Sequence, residues 1–413
     1  MINNPFINKK IILGVTGSIA AYKAVDLASQ MSQAGASVHT VLSEAAQQFI
    51  SPLCFQSVTA NESYTDKDLW GNKAHIIHVN LASESDLLLI APATANTIAK
   101  LTHGLADNLL TLVALSYHIS PTSPFLIAPA MDAGMFQNEV TQKNIQLLEQ
   151  RGITFIGPEE GHLASGLSAK GRMTQSTVIM QHISYVFSRM GGSLKGKKIV
   201  VTAAGTQEPI DPVRFIGNRS SGKQGYAIAQ AALDAGADVT IISAAANIST
   251  PYGAEIIQIN TAKDMEGAVI QACKNADALI MAAAVADFYP TNTSANKIKK
   301  KHQTTLIIEL SKTPDILLSV KTYRTQHKFP KIVIGFAAET EDYIANAKTK
   351  LHEKGLDMIV ANDVSAADAG FSVDNNRVSF ISKDDIIISL PLMSKREVAD
   401  HLIEKLIDFL NQK

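Results

Sequence analysis

Short runs of apolar, often β-branched residues alternate with segments of helical character along the whole chain. Most of these runs are four to six residues long and almost continuously apolar, which is typical of strands buried on both faces of a parallel sheet. Because such strands alternate with helices, the pattern predicts a doubly wound α/β fold. In the first half the predicted strands are Lys10–Val15, Ser37–Leu42, Asp86–Ile90, Phe125–Ala128 and Ile153–Ile156, and the predicted helices are Ala20–Gln33, Asp107–His118 and Phe136–Gln150.

The alternation starts again after a break rich in glycine and lysine, Met190–Lys198, which is typical of an interdomain linker. The chain closes with an amphipathic helix predicted over Ser394–Leu410. We therefore predict two doubly wound, Rossmann-like α/β domains, over residues 1–190 and 191–413. The strands predicted in the second domain are Lys198–Thr202, Asp238–Ser243, Ala278–Met281, Lys331–Gly335, Asp357–Val360 and Val378–Ile381.

Composition limits the classes of function. The 37 basic and 38 acidic side chains nearly cancel, whereas nucleic-acid-binding proteins usually carry a basic excess, so no nucleic-acid partner is expected. The two cysteines, Cys54 and Cys273, suit a reducing compartment. Because no signal-peptide pattern and no apolar run of about 18 residues occurs, we expect a cytoplasmic protein without a membrane segment.

The turn after the first predicted strand, Gly14–Ala21, is a candidate anion site. Gly17 allows a ligand to approach the backbone closely, Ser18 offers a hydroxyl, and the following helix offers free N–H groups to a phosphate. The spacing is neither G-x-G-x-x-G nor that of a P-loop. The turn therefore fits phosphate binding and an ordinary strand-to-helix connection about equally.

Two segments of the second half carry a stronger anion-binding pattern. In Asn218–Gly225, glycines, two serines and two basic residues precede an alanine-rich helix, so donors, charge and a helix N-terminus coincide. A capped loop is the alternative. The lysine run Lys297–Lys301 follows a strand end that carries Asp287, and an aspartate beside lysines there fits Mg²⁺ with a triphosphate. A solvated surface is the alternative for the lysine run.

Several segments, taken together and in order, resemble one bifunctional family over essentially the full length. It is the phosphopantothenoylcysteine decarboxylase / phosphopantothenate–cysteine ligase family of bacterial coenzyme A biosynthesis. In the first half Gly14–Lys23 resembles its flavin phosphate loop, Ala91–Thr97 its second flavin segment, and Pro129–Met135 its P-x-M-N-x-x-M substrate clamp. The matching segments of the second half are Asp211–Arg214, Asn218–Gly222, Ala284–Phe288, Lys297–Lys300, Thr313–Ile316, Gly335–Thr340 and Ala361–Asp363.

The resemblance implies a flavodoxin-like flavoprotein domain followed by a nucleotide-binding ligase domain. The ligase domain would activate the carboxylate of 4′-phosphopantothenate with CTP and release pyrophosphate, and cysteine would then displace CMP to form an amide. The flavoprotein domain would decarboxylate this product to 4′-phosphopantetheine with FMN, which carries the redox chemistry at the substrate thiol. The resemblance also implies a homo-oligomer, with trimeric contacts between flavin domains, dimeric contacts between ligase domains, and a flavin site between subunits.

Site residues of the flavin domain follow from the same resemblance. His78 matches the catalytic base, and an imidazole titrates in the right range for proton transfer near pH 7. A helix N-cap explains Ser43 nearly as well as a flavin contact does. The flavin contacts expected are Gly17, Ser18, Ser43, Thr94 and Asn96.

Asp132 and Ser165 stand at catalytic positions where the chain departs from the family pattern. The family commonly has Asn at the first position, to hold the substrate carboxylate, whereas an ionised Asp132 would repel it. Many members have Cys at the second position, whose thiol protonates an enethiolate. A serine hydroxyl is a far weaker acid than a thiol of pKa about 8.5, so a water or Lys170 would have to supply the proton.

In the ligase domain the resemblance assigns catalytic roles to Asn218, at the acyl-cytidylate, and to Lys297, which would neutralise the triphosphate. Asp287 is expected to contact the nucleotide and to hold Mg²⁺. Lys350 and Lys354 lie four apart on a predicted helix, where a solvated face is the alternative. The further nucleotide contacts expected are Thr313, Pro314, Asp315, Ile316, Phe336, Lys350 and Lys354.

Two alternatives to the bifunctional enzyme stay open at this point. The first is an active ligase whose flavin domain binds FMN without decarboxylating, because Asp132 and Ser165 replace the usual Asn and Cys. The second is a non-catalytic flavin-binding regulatory protein, which the ligase motifs argue against. The sequence does not predict the oligomer size, the group that protonates the enethiolate, or any regulation by coenzyme A.

Overall fold

The computed structural model describes residues 4–70, 76–244, 248–299, 305–339, 342–363 and 375–412. The chain divides into two units, one over Asn4–Met190 and one from Gly191 onward. Within the described ranges, every helix is too short or too polar to cross a membrane.

A parallel six-stranded sheet forms the centre of the first unit. Its strands are β1 (Lys10–Val15), β2 (Ser37–Leu42), β3 (Ser63–Tyr64), β4 (Leu87–Ala93), β5 (Phe125–Pro129) and β6 (Thr154–Phe155). They lie in the order β3-β2-β1-β4-β5-β6. A separate antiparallel hairpin consists of β7 (Glu159–His162) and β8 (Ser168–Arg172). The helices are α1 (Ala21–Gln33), α2 (Pro52–Thr59), α3 (Ile77–Ser83), α4 (Ala95–His103), α5 (Leu109–Ser116), α6 (Ala133–Gln137), α7 (Glu139–Gln150) and α8 (Ser176–Gly191).

Both faces of this sheet are buried, as the continuous apolar runs predict. Ile11 and Leu13 belong to one hydrophobic core and Ile12, between them, to a second. Every residue of β4 is buried, and its side chains alternate between the two cores in the same way. Since successive strand residues point to opposite faces, the two cores lie on opposite sides of the sheet.

The second unit repeats this arrangement. Its main-sheet strands are β9 (Lys198–Ala203), β12 (Asp238–Ser243), β13 (Glu255–Gln258), β14 (Ala278–Met281), β17 (Ile332–Glu339), β18 (Met358–Asp363), β20 (Val378–Ser382) and β21 (Ile387–Ser389). Small ribbons pair β10 (Glu208–Pro209) with β11 (Phe215–Ile216), β15 (Phe288–Pro290) with β16 (Leu310–Lys312), and β19 (Asn375–Asn376) with β22 (Met393–Ser394). The helices are α9 (Lys223–Asp234), α10 (Ala262–Ala272), α11 (Ile316–His327), α12 (Tyr343–Lys354) and α13 (Lys395–Asn411).

The strand order of the second sheet is β13-β12-β9-β14-β17-β18-β20-β21. The first six are parallel, and β20 and β21 extend the sheet in antiparallel fashion. Counted from its own first strand, the parallel part therefore has the same 3-2-1-4-5-6 order as the first unit. In each sheet the order reverses between strands one and four, which is where open α/β sheets bind ligands.

The predicted fold class, two doubly wound Rossmann-like domains, is confirmed. The order 3-2-1-4-5-6 is that of the Rossmann sheet, whereas flavodoxin has the order 2-1-3-4-5. Within the doubly wound class, the first unit therefore has the Rossmann arrangement. Four predicted strands have the bounds expected: Lys10–Val15, Ser37–Leu42, Asp238–Ser243 and Ala278–Met281.

One local prediction was wrong. The helix expected over Phe136–Gln150 is interrupted at Asn138, because the Asn138 side chain accepts a hydrogen bond from the Val140 N–H at 2.9 Å and starts α7. The predicted linker is partly ordered structure: α8 continues to Gly191, and Leu194 is buried with its N–H donated to the Ala235 carbonyl at 2.8 Å. Lys300, Lys301 and Thr340 of the quoted motifs lie outside the described residues.

Candidate functional site

A cavity of about 400 Å³ opens at the switch point of the first sheet. It is lined by the loops after β1, β4 and β5 and by the β7–β8 hairpin. Five predicted site residues line it together: Gly17, Ser18, Thr94, Asp132 and Ser165. A Cβ atom on Gly17 would lie 2.5 Å from that of Ala45, so the turn requires a residue without a side chain.

A buried threonine joins the two loops that flank this switch point. The Thr16 hydroxyl donates to the Pro92 carbonyl at 2.7 Å and accepts from the Thr94 N–H at 3.1 Å. The Thr94 hydroxyl in turn accepts from the Thr97 N–H at 3.3 Å and so caps α4. The loops after β1 and β4 are therefore held to one another by side-chain hydrogen bonds.

Asp132 and Ser165 are hydrogen-bonded to each other. The Ser165 hydroxyl donates to Oδ2 of Asp132 at 2.7 Å, and the Gly134 N–H donates to Oδ1 at 2.9 Å. These two donors, Ser165 first, hold the pKa of the Asp132 carboxyl below its ordinary value. The cavity therefore presents an ionised carboxylate at the position where the family clamp carries an amide.

Three predicted residues do not line this cavity. His78 lies in α3, where its Nδ1 is buried and has no hydrogen-bond partner within the part of the chain that the structure describes. Asn96 is exposed in the first turn of α4. The Ser43 hydroxyl accepts from the Ala46 N–H at 3.2 Å, which is the local capping role weighed as the alternative.

The proton donors considered in place of a cysteine also lie elsewhere. The Lys170 ammonium stands 5.5 Å from the centre of the Phe136 ring, and Lys170 does not line the cavity. Cys54 and Cys273 are free thiols that line neither described cavity. Burial raises the pKa of the Cys273 thiol to about 12, which makes it inert.

Two cationic side chains that sequence reasoning had not assigned line the same cavity. Lys23 donates to the Met173 carbonyl at 3.3 Å, and its pKa is lowered by burial and then by the charge of Arg172. No side chain caps the N-terminus of α1, which begins beside Ser18. Two cations and an uncapped helix N-terminus favour an anionic group here. Lys23 could have been predicted from the sequence, because it is the last residue of the segment Gly14–Lys23, which resembles the flavin phosphate loop.

A larger cavity, about 1090 Å³, occupies the switch point of the second sheet. The loop after β14 and the segment Asn218–Gly225 form much of its wall. Every predicted ligase residue except Lys297 lines it, namely Asn218, Asp287, Thr313, Pro314, Asp315, Ile316, Phe336, Lys350 and Lys354.

Side-chain hydrogen bonds fix the loop after β14. Its N–H groups at Ala283 and Ala286 donate to the hydroxyls of Thr202 and Thr206, at 3.1 and 2.9 Å. Its carbonyl at Ala286 accepts from the Thr313 hydroxyl at 2.6 Å. Thr206 lies in the loop after β9, so it ties that loop to the loop after β14, as Thr16 ties the loops after β1 and β4 in the first unit. Thr202 lies within β9 and ties that strand to the loop after β14.

Asn218 is anchored by one of its amide protons. Its Nδ2 donates to the Val285 carbonyl at 2.9 Å. This bond leaves the second amide proton and Oδ1 to face a ligand. The side chain is thereby oriented by the same loop that carries Asp287.

Asp315 and Lys354 form an ion pair at the edge of the cavity. The other carboxylate oxygen of Asp315 accepts from the Leu318 N–H at 3.1 Å and caps α11. Lys350 lies one turn before Lys354 on α12, so both face this cavity. Both lysines line the cavity, although Lys350 is exposed and Lys354 half-buried, so the nucleotide contact stays a prediction beside the solvated-face alternative.

Lys297 is not brought into the cavity lining. It is exposed, and the neighbouring residue Ile298 is tied elsewhere: its N–H donates to Asp211 at 3.1 Å and its carbonyl accepts from Arg214 at 3.1 Å. Asp287 lines the cavity but is exposed, and no cluster of three His, Cys, Asp or Glu side chains suited to a metal occurs among the described residues.

These features define a class of protein: two Rossmann-type α/β domains in tandem, each with a cavity at its switch point that is lined in part by cationic side chains. The Flavoprotein family matches residues 4–188, and the family described as DNA/pantothenate metabolism flavoprotein C-terminal domain matches residues 194–410. The Coenzyme A biosynthesis bifunctional protein CoaBC of Bacillus subtilis (strain 168) is 42% identical over 401 residues, which is 97% of each chain. The chain belongs to this family of bifunctional coenzyme A biosynthesis proteins.

Two further proteins are similar to this chain. The protein of the same name from Vibrio cholerae is 40% identical over 404 residues, covering 96% of this chain and 98% of its own. A crystal structure of the C-terminal domain of a CoaBC protein is 39% identical, with a TM-score of 0.46, over 54% of this chain and 100% of that one.

Proposed function

We propose that the second domain uses CTP to join cysteine to 4′-phosphopantothenate, and that the first domain decarboxylates the product with FMN. The observation that supports the ligase most strongly is the second cavity, which collects nine of the ten residues predicted for that reaction. These residues come from five separate segments of the chain, so their meeting in one cavity is not a consequence of sequence proximity.

The charge of the second cavity suits anionic substrates. Among the described residues, six cationic side chains line it, Arg219, Lys223, Lys312, Lys350, Lys354 and Lys395, against two carboxylates, Asp287 and Asp315. CTP and 4′-phosphopantothenate together carry a triphosphate, a phosphate and a carboxylate. Gly222 is the N-cap of α9 and offers no side-chain cap, so the N-terminal end of this helix adds to the positive character of the cavity wall.

The reaction would proceed in two displacements within this cavity. The substrate carboxylate oxygen attacks the α-phosphorus of CTP, and the bond to pyrophosphate breaks. The amine nitrogen of cysteine then attacks the acyl carbon, the carbon–oxygen bond to CMP breaks, and the amine loses a proton. Asn218 is placed to donate its remaining amide proton to the oxygen that gains charge, while the lysines neutralise phosphate charge.

Mg²⁺ would be held chiefly by the substrate. Magnesium in nucleotide sites is commonly bound by one or two carboxylates together with the phosphates. The Asp287 side chain supplies one such carboxylate at the cavity wall. The backbone carbonyl of Asp287 accepts a hydrogen bond from the Thr313 N–H at 3.0 Å. We propose Lys297 as a contact that forms only when the nucleotide is bound, since the structure places it outside the lining.

The first cavity fits the phosphate end of FMN. Gly17 allows the close backbone approach, and Ser18, Lys23 and Arg172 offer a hydroxyl and two cations near the uncapped N-terminus of α1. Bound FMN would supply the two-electron redox chemistry that the protein side chains lack. The β7–β8 hairpin carries Ser165 to Asp132 and so closes one side of the cavity.

The position of His78 supports an assembly of subunits. His78 and Asn96 do not line the cavity of their own chain, although the family resemblance assigns them to the flavin site. We propose that a neighbouring subunit brings them to it, in a homo-oligomer. Sedimentation of the FMN-loaded protein tests this, because a monomer that retains stoichiometric FMN would contradict it.

A ligase with a silent flavin domain is the second candidate function. The ionised Asp132 carboxylate favours it, because that carboxylate would repel the substrate carboxylate unless the cations Lys23 and Arg172 offset its charge. The deciding experiment supplies phosphopantothenate, cysteine, CTP and Mg²⁺ to the FMN-loaded protein and identifies products by mass. Phosphopantetheine supports both activities, whereas accumulation of phosphopantothenoylcysteine supports the ligase alone.

A further inference from the structure

His162 is a titratable side chain in the wall of the first cavity, and the sequence resemblance assigned it no role. It is the last residue of β7, and it lines the cavity together with Asp132 and Ser165. An imidazole titrates at about pH 7, where a side chain can both hold a proton and release it to a substrate. The cavity therefore contains an acid of suitable strength on the hairpin in which the family's thiol is replaced.

The turn of the β7–β8 hairpin brings His162 and Ser165 to the same wall. Within this turn the Leu163 N–H donates to the Leu167 carbonyl at 2.8 Å, and the Gly166 N–H donates to the Leu163 carbonyl at 2.9 Å. Leu163 is buried, which anchors the turn to the rest of the domain. His162 comes directly before Leu163, so both cavity residues are held by one hydrogen-bonded turn.

The same hairpin is seated against the loop after β5, which carries Asp132. The Met131 N–H donates to the Gly171 carbonyl at 3.1 Å, and a Cβ atom on Gly171 would collide with the Met131 carbonyl oxygen. Ser165 adds its contact to Asp132 at 2.7 Å. The hairpin that carries His162 therefore packs closely on the loop that resembles the substrate clamp.

The other ionisable groups of this cavity are poor proton donors at about pH 7. Asp132 is ionised, because two donors hold the pKa of its carboxyl below the ordinary value. Arg172 carries a guanidinium, which keeps its proton in proteins. Lys23 donates to the Met173 carbonyl, and the flavin phosphate proposed beside it would keep the ammonium charged. Tyr22 is exposed, and phenols ionise only at about pH 10. Of the described residues in this lining, the histidine alone has the strength required.

We propose that His162 is the general acid of the decarboxylation, in the role that a cysteine has in the family. After CO₂ has left, the imidazolium would donate its proton to the carbon that carried the carboxylate. A carbon–hydrogen bond forms there, an N–H bond of the ring breaks, and the enethiolate becomes a thioaldehyde. The two electrons taken from the substrate thiol earlier then return to this carbon–sulfur bond and restore the thiol. Because His162 is exposed, its ring regains a proton from water. This inference rests on the proposed decarboxylase function and names its proton donor.

The test separates CO₂ release, which precedes the proton transfer, from phosphopantetheine formation, which follows it. His162→Gln keeps a polar side chain that cannot supply a proton. With FMN-loaded protein and phosphopantothenoylcysteine in the absence of oxygen, we expect CO₂ release in the first turnover to be unchanged. Phosphopantetheine formation should fall by about 10²–10⁴. The recovered product should be the enethiol, which mass spectrometry distinguishes because it has two hydrogen atoms fewer than phosphopantetheine.

A control and a rescue variant accompany this substitution. His118→Gln is the matched control, since His118 is exposed and lies outside the cavity lining, and it should form phosphopantetheine at the wild-type rate. Adding Asp132→Asn and Ser165→Cys to His162→Gln supplies the family's thiol and should restore phosphopantetheine formation. If this pair supports the reaction with His162 present but not in the His162→Gln background, His162 does not donate the proton and the proposal is wrong.

A binding measurement gives a readout that does not depend on turnover. When FMN-loaded protein is titrated with phosphopantetheine, the imidazole NMR signals of His162, assigned by their loss in His162→Gln, should shift. Signals that stay in place would overturn the proposal. So would wild-type rates in His162→Gln, and so would equal slowing of CO₂ release and phosphopantetheine formation, which indicates a role in substrate binding. A wild-type protein that releases no CO₂ would overturn the decarboxylase function itself, and the role of His162 with it.

Discussion

The hydroxyl of Ser165 donates to Oδ2 of Asp132 over 2.7 Å, so the two positions at which the chain departs from its family pattern form one hydrogen-bonded pair. A carboxylate is a strong acceptor for a hydroxyl, whereas it raises the pKa of an adjacent thiol. Serine with aspartate is therefore a compatible combination, and cysteine with aspartate is not. Asp132 and Ser165 therefore form one compatible pair that replaces the family's Asn and Cys together.

This pairing predicts how decarboxylation responds to substitution. Ser165→Cys alone should lower CO₂ release, because Asp132 would keep the new thiol protonated and poorly oriented. Adding Asp132→Asn should restore the rate, with a coupling free energy in the range of about 0.5–3 kcal/mol for residues in contact. Ser168→Cys, in the same hairpin but outside the cavity, is the control. Independent, additive effects of the two substitutions would contradict the pairing.

The same contact predicts a pH dependence. Because the folded-state pKa of Asp132 lies below the ordinary 3.8, the contribution of this bond to stability is present above that pH and is lost as pH falls through the lowered pKa. Ser165→Ala should move the pKa toward its ordinary value, since Ser165 is the largest cause of the shift. Carboxyl carbon NMR titration of both proteins measures this, and an unchanged Asp132 titration would refute the contact.

Gly17 gives a test of the flavin site. Its missing Cβ would lie 2.5 Å from that of Ala45, so Gly17→Ala must displace the loop. We expect the affinity for FMN to fall at least tenfold. The ratio of flavin to protein absorbance after purification shows how much FMN the variant retains. Gly191→Ala, where the added methyl group meets nothing within 4 Å, is the control and should stay yellow.

Asn218 gives the matching test for the ligase. Asn218→Asp replaces the Nδ2 donor with an oxygen facing the Val285 carbonyl and adds negative charge to an anion cavity. Pyrophosphate release should fall by about 10²–10³, as for loss of a donor to a developing anion. Asn275→Asp, at an exposed position outside the lining, should have no effect. A wild-type rate for Asn218→Asp would remove Asn218 from the proposed mechanism.

One prediction concerns stability alone. Gly267 lies inside α10, and a Cβ there would meet nothing within 4 Å. Gly267→Ala should raise the free energy of unfolding by about 0.4–1 kcal/mol, because alanine restricts the unfolded chain at no cost to the helix. Urea denaturation, followed through the unfolding transition of the second domain, measures this free energy. A variant less stable than the wild-type protein would show that the space around Gly267 is not open.

The sheet strands were predictable because burial on both faces makes them almost purely apolar, as Leu87–Ala93 shows. The break between two helices at Asn138 was not predictable, because the apolar pattern of a helix continues on both sides of it while the Asn138 side chain caps the second helix. Site residues that follow strands, such as Thr94 and Asp287, were predictable for two reasons. They stand after a predicted strand, where α/β sheets bind ligands, and they lie in segments that resemble family motifs. Asn376 and Lys395, which line the second cavity, were missed because only the β19–β22 pairing brings them to it, and no local pattern encodes that pairing.

Thr16 and Thr206 tie the loops on the two sides of each switch point through hydrogen bonds made within the chain. The conformational entropy of these walls is therefore lost when the chain folds, not when FMN or a nucleotide binds. Each cleft is therefore preorganised on the side where these two loops meet. Replacing either threonine with valine would remove these hydrogen bonds and keep the shape of the cleft. The loss of conformational entropy would then accompany ligand binding instead of folding.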